Sequence, residues 1–263
     1  MKITVLIENR AIDEYFAAEH GLSLYIETSR ETILFDAGQT GNFVRNADRL
    51  GIDLDKVDFA VLSHGHYDHG GGLFRFLGLN GHAKVYANEN AFGTYMNRKG
   101  EYIGLDSGLK ECGRVIPIGD EHAIRDGVSL YTCNGREPKH PIDSAGLSAV
   151  SDGQAAPDAF RHEQYLLIEE DGKRYLFSGC SHKGILNIAS WFEPDVLIGG
   201  FHLKDVNPDR EGRERLTRAA RELFSHRTVY YTGHCTGADQ FELMKNVMKD
   251  RLEYIATGCQ LEF

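Results

Sequence analysis

The chain has 263 residues, 41% of them hydrophobic and 26% charged, with a formal net charge of −10. That is an ordinary globular composition, long enough for one large domain or two small ones. The acidic balance argues against a non-specific nucleic-acid binder, which needs surplus Lys and Arg to neutralise phosphates. No apolar run of about 18 residues marks a membrane span, and the N-terminal strand pattern turns polar too soon for a signal peptide. A cytoplasmic location is therefore expected. Five widely spaced cysteines, an odd number, do not suggest a disulfide framework.

In chain order, Lys2–Glu8, Ser23–Thr28 and Thr32–Asp36 read as short β-rich runs, and Asn42–Leu50 as a helix ending at Gly51. The apolar run Val57–Leu62 is a strand leading into a glycine-rich segment, and Leu73–Leu77 begins a helix behind it. Lys84–Asn88 and Val128–Cys133 read as strands. Residues 137–160, rich in Pro, Asp, Ser, Ala and Gly, read as a long irregular loop of the kind that serves as a lid.

Tyr165–Glu169 and Arg174–Ser178 flank an Asp171-Gly172 turn and predict a hairpin. Val196–Ile198 and Val229–Thr232 are further strands. Asp209–Phe224 is a helix with Asn207 as cap and Pro208 at its first position, and Thr236–Lys249 is a helix with a Thr236/Asp239 capping box. Strands alternating with helices after a strand-rich start indicate a layered mixed α/β (α+β) fold. One domain spans residues 1–263, with the lid inside it.

The chemistry concentrates after Leu62. Ser63-His64-Gly65-His66-Tyr67-Asp68-His69 holds four side chains of the type that bind divalent zinc, iron or manganese, followed by Gly70, Gly71 and Gly72. Chance histidines in a polar loop do not account for so dense a cluster. Two later strands also end in a glycine and ligand types. One gives Ser178-Gly179-Cys180-Ser181-His182, the other Gly233-His234-Cys235. His182, His234 and Cys180 are therefore candidate ligands converging with the first cluster on one sheet edge.

Cys180 and His182 are alternatives in part. An extended chain would send both the same way, and a turn after Gly179 would turn one aside. His182 is favoured because the other candidates are mostly imidazoles. His202, also just past a strand, is a candidate catalytic or supporting group. Asp36 is a candidate acceptor for a ligand histidine, and His20 a weaker candidate at the entrance. His82, His122, His140, His162 and His226 read as surface or structural.

Together these segments resemble the metallo-β-lactamase superfamily. His64-Gly65-His66-Tyr67-Asp68-His69 matches its His-x-His-x-Asp-His signature, Leu34–Gly38 its first strand-end motif and Gly233-His234 its last. Glu19–Ser23, Leu62–Leu73, Ser178–Ile185, Gly200–Leu203 and Thr232–Gly237 are similar to one branch, that of 7,8-dihydropterin-6-methyl-4-(β-D-ribofuranosyl)aminobenzene 5′-phosphate synthase.

The resemblance implies a four-layer αββα sandwich and two divalent metal ions. His64 and His66 would hold one ion, and Asp68, His69 and His234 the other, with Asp68 also serving catalysis. The superfamily's usual third-motif histidine is not evident, and Cys180 stands where an aspartate commonly bridges the metals. His182 or Cys180 would replace these ligands. In the branch, the implied reaction transfers a dihydropterin group from a pyrophosphate ester to an aryl ribose phosphate, with the Gly70–Gly72 amides receiving the leaving anion. In a hydrolase, such as a phosphodiesterase or lactonase, the same metals would generate hydroxide. A metal-bearing sensor is the third class. The expected partner is a small phosphorylated molecule, not nucleic acid or membrane, and a homo-oligomer is compatible with the sequence.

Overall fold

A computed structural model describes residues 1–263. Lys2–Ile7, Ser23–Glu27, Thr32–Phe35, Phe59–Val61, Lys84–Asn88 and Val115–Ile118 form one sheet, whose edge is closed by Gln260–Glu262 pairing antiparallel to the first strand. Glu121–Arg125, Val128–Tyr131, Tyr165–Glu170, Lys173–Phe177, Val196–Ile198, Val229–Thr232 and Leu252–Tyr254 form the second.

The inner faces of both sheets share one core. Ile33, Phe35 and Val61 of the first meet Leu166, Phe177 and Ile198 of the second, with the Phe35 and Phe177 rings 5.7 Å apart. Alternate residues point outward and are buried under helices. Leu34, Ala60 and Val85 lie against helices Asn42–Arg49 and Leu73–Leu79. Leu167, Leu176 and Leu197 lie against Ile185–Phe192, Arg210–Ser225 and Ala238–Met248. Strands buried on both faces read as continuous apolar runs, and the result is the αββα sandwich. No helix is long and apolar enough to cross a membrane.

Each sheet has a parallel set of strands. In the first, Thr32–Phe35, Phe59–Val61 and Lys84–Asn88 run together; in the second, Lys173–Phe177, Val196–Ile198 and Val229–Thr232 do. Parallel strands present their carboxyl ends on one edge, where open α/β sheets gather binding groups. Asp36, the His64–His69 cluster, Cys180, His182, His202 and His234 all follow such ends.

Three sequence expectations need correction. Residues 137–160 are not wholly irregular: Ser148–Ser151 and Gln154–Pro157 form a hairpin that pairs with Thr94–Met96. Its strands bury little, so the apolar alternation that marks a strand is missing, although Asp152-Gly153 has positive φ at both positions and is a type I′ turn like Asp171-Gly172. The helix cap is Asp209, whose side chain accepts from the Gly212 amide, and not Asn207. Thr236 forms no capping box, because its hydroxyl is bonded to the Phe201 amide and to Thr232.

Candidate metal centre

The strand Phe59–Val61 ends at Leu62 and Ser63, and the chain then turns through His64–His66 into a short helix, Tyr67–Gly70. Asp36 ties the first two strand ends together. It leaves its own strand at φ 59° and accepts from the Ser63 amide (2.7 Å), the Ser63 hydroxyl (2.7 Å) and His69 Nδ1 (2.7 Å). Ser63 Oγ also lies 2.8 Å from His64 Nδ1. The outward nitrogens of His64 and His69 are thus engaged, which fixes tautomer and ring orientation as carboxylates commonly do for ligand histidines.

The Nε2 atoms face inward. His64 Nε2 is 3.3 Å from His182 Nε2, and His69 Nε2 is 3.1 Å from His234 Nε2 and 3.2 Å from Cys180 Sγ. Asp68 Oδ2 lies 3.3 Å from His234 Nε2, 3.7 Å from His69 Nε2 and 3.3 Å from His20 Nε2. His234 is held from behind by Asn9, whose Oδ1 is 2.9 Å from its Nδ1. Four linked groups result, each sharing a residue with the next: His64, His66 and His182; His64, His69 and Cys180; Cys180, His234 and Cys235; His20, Asp68 and His234.

All sequence-nominated ligands therefore come together, and both Cys180 and His182 reach the centre. The chain does turn here, with φ 57° at Gly179 and 59° at Ser181, but the turn sends Cys180 towards His69 and His182 towards His64. Gly179 is required for this approach, because a Cβ there would meet Ser63 Oγ at 2.3 Å.

Burial pushes His64, His66 and His182 well below the ordinary histidine range, and pushes His234 down to about 3, so these rings are neutral at pH 7. Burial works against charge on His69 too, but Asp36 and Asp68 outweigh it and raise that ring to about 9. Burial also opposes the Asp68 carboxylate, yet His69 and His234 hold it well below the usual carboxylate range. Burial and the neighbouring Cys235 push the Cys180 thiol up, so it is protonated unless a cation is present.

The donor set fits divalent metal. His66 Nε2 is buried without any hydrogen-bond partner, an expensive state for a polar atom. The inward nitrogen pairs at 3.1 and 3.3 Å match the spacing of about 3.3 Å that follows from two nitrogens on one tetrahedral zinc.

The Gly70–Gly72 amides are not free for an anion as expected. They donate to His66 O, Tyr67 O and Gly38 O. The run instead permits close backbone packing, since a Cβ on Gly71 or Gly72 would meet Gln39 O or Ala37 O within 2.3 Å.

His162 belongs to the site's support and not to the surface. It is fully buried, accepts from the Gly65 amide at Nδ1 (3.0 Å), and places Nε2 3.1 Å from Asp158 Oδ2. The pair holds the backbone between His64 and His66. Nothing in the sequence marked it, because His162 follows no strand end. His162→Ala would leave the Gly65 amide and Asp158 Oδ2 unpaired, both buried. It is expected to weaken metal binding on the order of 10-fold or more, measured by chelator competition, whereas His162→Asn, able to accept and donate, should restore much of it.

The centre opens into a cleft of about 570 Å³. His20 stands at its mouth with a side chain 40% exposed. His202 lines it, its ring 4.3 Å from that of His182, and burial pushes it down to about 4. Arg98, Lys99 and Lys204 bring positive charge to the same cleft. Arg98 is paired with Asp205 at 2.9 Å, while the two lysines have no carboxylate partner.

Comparison with known proteins agrees with this geometry. The chain is 32% identical to an uncharacterized protein of Methanocaldococcus jannaschii over 247 residues, 89% of this chain and 90% of that one. It is 28% identical to the same organism's 7,8-dihydropterin-6-methyl-4-(β-D-ribofuranosyl)-aminobenzene-5′-phosphate synthase, covering 100% of this chain and 97% of the synthase. A crystal structure described as a metal-dependent hydrolase of the β-lactamase superfamily superposes with a TM-score of 0.79 at 28% identity, over 100% of this chain and 99% of that one. Residues 18–202 match the metallo-beta-lactamase superfamily profile, and with the αββα fold and strand-end ligand clusters in place, the chain belongs to that superfamily.

Proposed function

We propose that the protein is a metal-dependent enzyme acting on a small phosphate or pyrophosphate ester, such as a dihydropterin pyrophosphate. The observation that carries this reading is the juxtaposition, in a chain of net charge −10, of the ligand clusters with Arg98, Lys99 and Lys204 in one cleft. Full-length similarity to a synthase that makes an aminobenzene phosphate supports the pterin and phosphate chemistry.

His64, His66 and His182 would hold one divalent ion, and Asp68, His69 and His234 a second, with Cys180 between them. Zinc, iron and manganese all accept these donors. Such ions supply Lewis acidity towards phosphoryl oxygens and acidify water. Lys99, Lys204 and Arg98 orient the phosphate by charge. Asp68, held ionised, accepts the proton of the attacking group. His202, neutral at pH 7, donates a hydrogen bond to the departing oxygen. Of residues 137–160, Ala145 and Leu147 contribute to the cleft wall, where the segment would serve as a lid.

The test joins metal analysis to an activity panel on protein purified without chelator. Up to two ions per chain and metal-dependent turnover of a phosphate or pyrophosphate ester are expected. An aryl ribose phosphate acceptor added to the pterin arm separates transfer from hydrolysis. No stoichiometric metal after growth in supplemented medium would sink the reading. Turnover confined to lactones or to single-stranded DNA would replace its substrate class, and bound metal with no turnover on any arm would favour a sensor.

A further inference from the structure

Beside the metal cleft lies a second cavity of about 840 Å³, within the size range of small-molecule sites. The two share Arg98, Ala145, His182, His202 and Asp205 as a common wall. Apolar side chains make much of its surface: Ile142, Ile185, Leu186, Phe201 and Leu203. Its charged residues divide unequally. The acids are engaged, Asp205 with Arg98 at 2.9 Å, Glu222 with His140 at 2.7 Å, and Asp143 with the Ala145 amide at 2.9 Å. Arg215 and Arg218, on the helix Arg210–Ser225, have no carboxylate partner.

An apolar chamber with two free guanidinium groups at its rim, opening beside a metal centre, has a definite complement. We propose that this cavity binds the part of the substrate that does not react, an apolar body carrying an anionic group, with Arg215 and Arg218 taking the anion. The cavity as a binding site stands on its own lining, whereas its role as a substrate subsite rests on the function proposed above. Burying the apolar body contributes by removing its surface from water, and the guanidinium pair selects for charge by bidentate hydrogen bonding. The reacting ester would then extend past the shared His182 and His202 into the first cleft, which Asp68 lines.

The probe is 1-anilinonaphthalene-8-sulfonate, an aryl anion, titrated by fluorescence into the full-length protein as purified. Phenyl phosphate and octanoate serve as competitors, to distinguish an aromatic from an aliphatic body. Saturable binding at one site per chain is expected, with displacement by the competitor of the preferred kind. Arg215→Glu combined with Arg218→Glu should weaken binding on the order of 10-fold, and Ala219→Trp, which fills the chamber, should reduce it further. Arg210→Glu, at the start of the same helix and outside the cavity, should leave it unchanged.

Near-ultraviolet circular dichroism shows whether each variant keeps its packing, so that binding to a loosened state is not counted. If Ala219→Trp does not fold, the exposed arginine pair decides. Equal affinity in the wild type and the double arginine variant, or no saturable binding, would overturn the proposal. Because the readout needs no turnover, failure of the activity panel with intact probe binding would remove the proposed reaction and leave the site.

Discussion

His182→Ala is expected to empty the His64, His66 and His182 group and to abolish turnover, while Cys180→Ser keeps metal content nearly intact. The asymmetry follows from geometry. His182 offers an imidazole already neutral at pH 7, with Nε2 3.3 Å from His64 Nε2 and no other protein ligand in its place. Losing it leaves two histidines, too few for a tight site. Cys180 lies among His69, His234 and Cys235, where other donors remain, and serine nearly preserves its volume. The backbone around His182 should survive the change, because Glu163 accepts from the amides of residues 182 and 183 and not from the ring. Metal analysis of the two variants beside the wild type decides the matter. Metal lost in Cys180→Ser and kept in His182→Ala would make the thiolate the essential ligand and point to zinc.

Asp68→Asn should lower turnover on the order of 10²-fold or more, with little change in the melting temperature of metal-stripped protein. The carboxylate sits among His20, His69 and His234, so its charge is the property the site uses. Carboxamide has the same shape but neither the anionic ligand strength nor the basicity to take a proton. Its place in the fold depends on backbone, with Asp68 O accepting from the Leu22 amide, which the substitution leaves alone. Initial rates on whichever ester the panel yields, together with thermal melts, test both halves. Wild-type turnover would remove Asp68 from the mechanism, and a large drop in the metal-stripped melting temperature would make it structural.

What could be read from the sequence was whatever combined an apolar run with an abrupt polar end. His64, His66, Asp68, His69, Cys180, His182 and His234 all sit two to eight residues beyond a buried strand, and parallel pairing brings such ends together. Asp36 was readable for the same reason. His162 was not, since its role depends on meeting Gly65 across 97 residues of chain, a relation with no local signature. The hairpin at residues 148–157 was hidden by strands that face water, where sequence alternation carries no information. Cys180 and His182 show a different limit. Spacing says whether two side chains start in the same direction, but only the positive φ at Gly179 and Ser181 reveals that they part and still reach one centre.

The strand Gln260–Glu262, which closes the first sheet against Lys2–Thr4, has a consequence for biogenesis. Lys2–Thr4 waits for a partner more than 250 residues further along the chain, so this edge stays unsealed until Gln260–Glu262 has been synthesised. The metal centre waits nearly as long, since Asn9 must meet His234. Pairing across such separations is slow, and a chain released early would carry an exposed, apolar strand edge prone to self-association. Loading with metal thus follows synthesis through His234, and chains truncated between His234 and Gln260 should yield aggregates in place of a partly active protein.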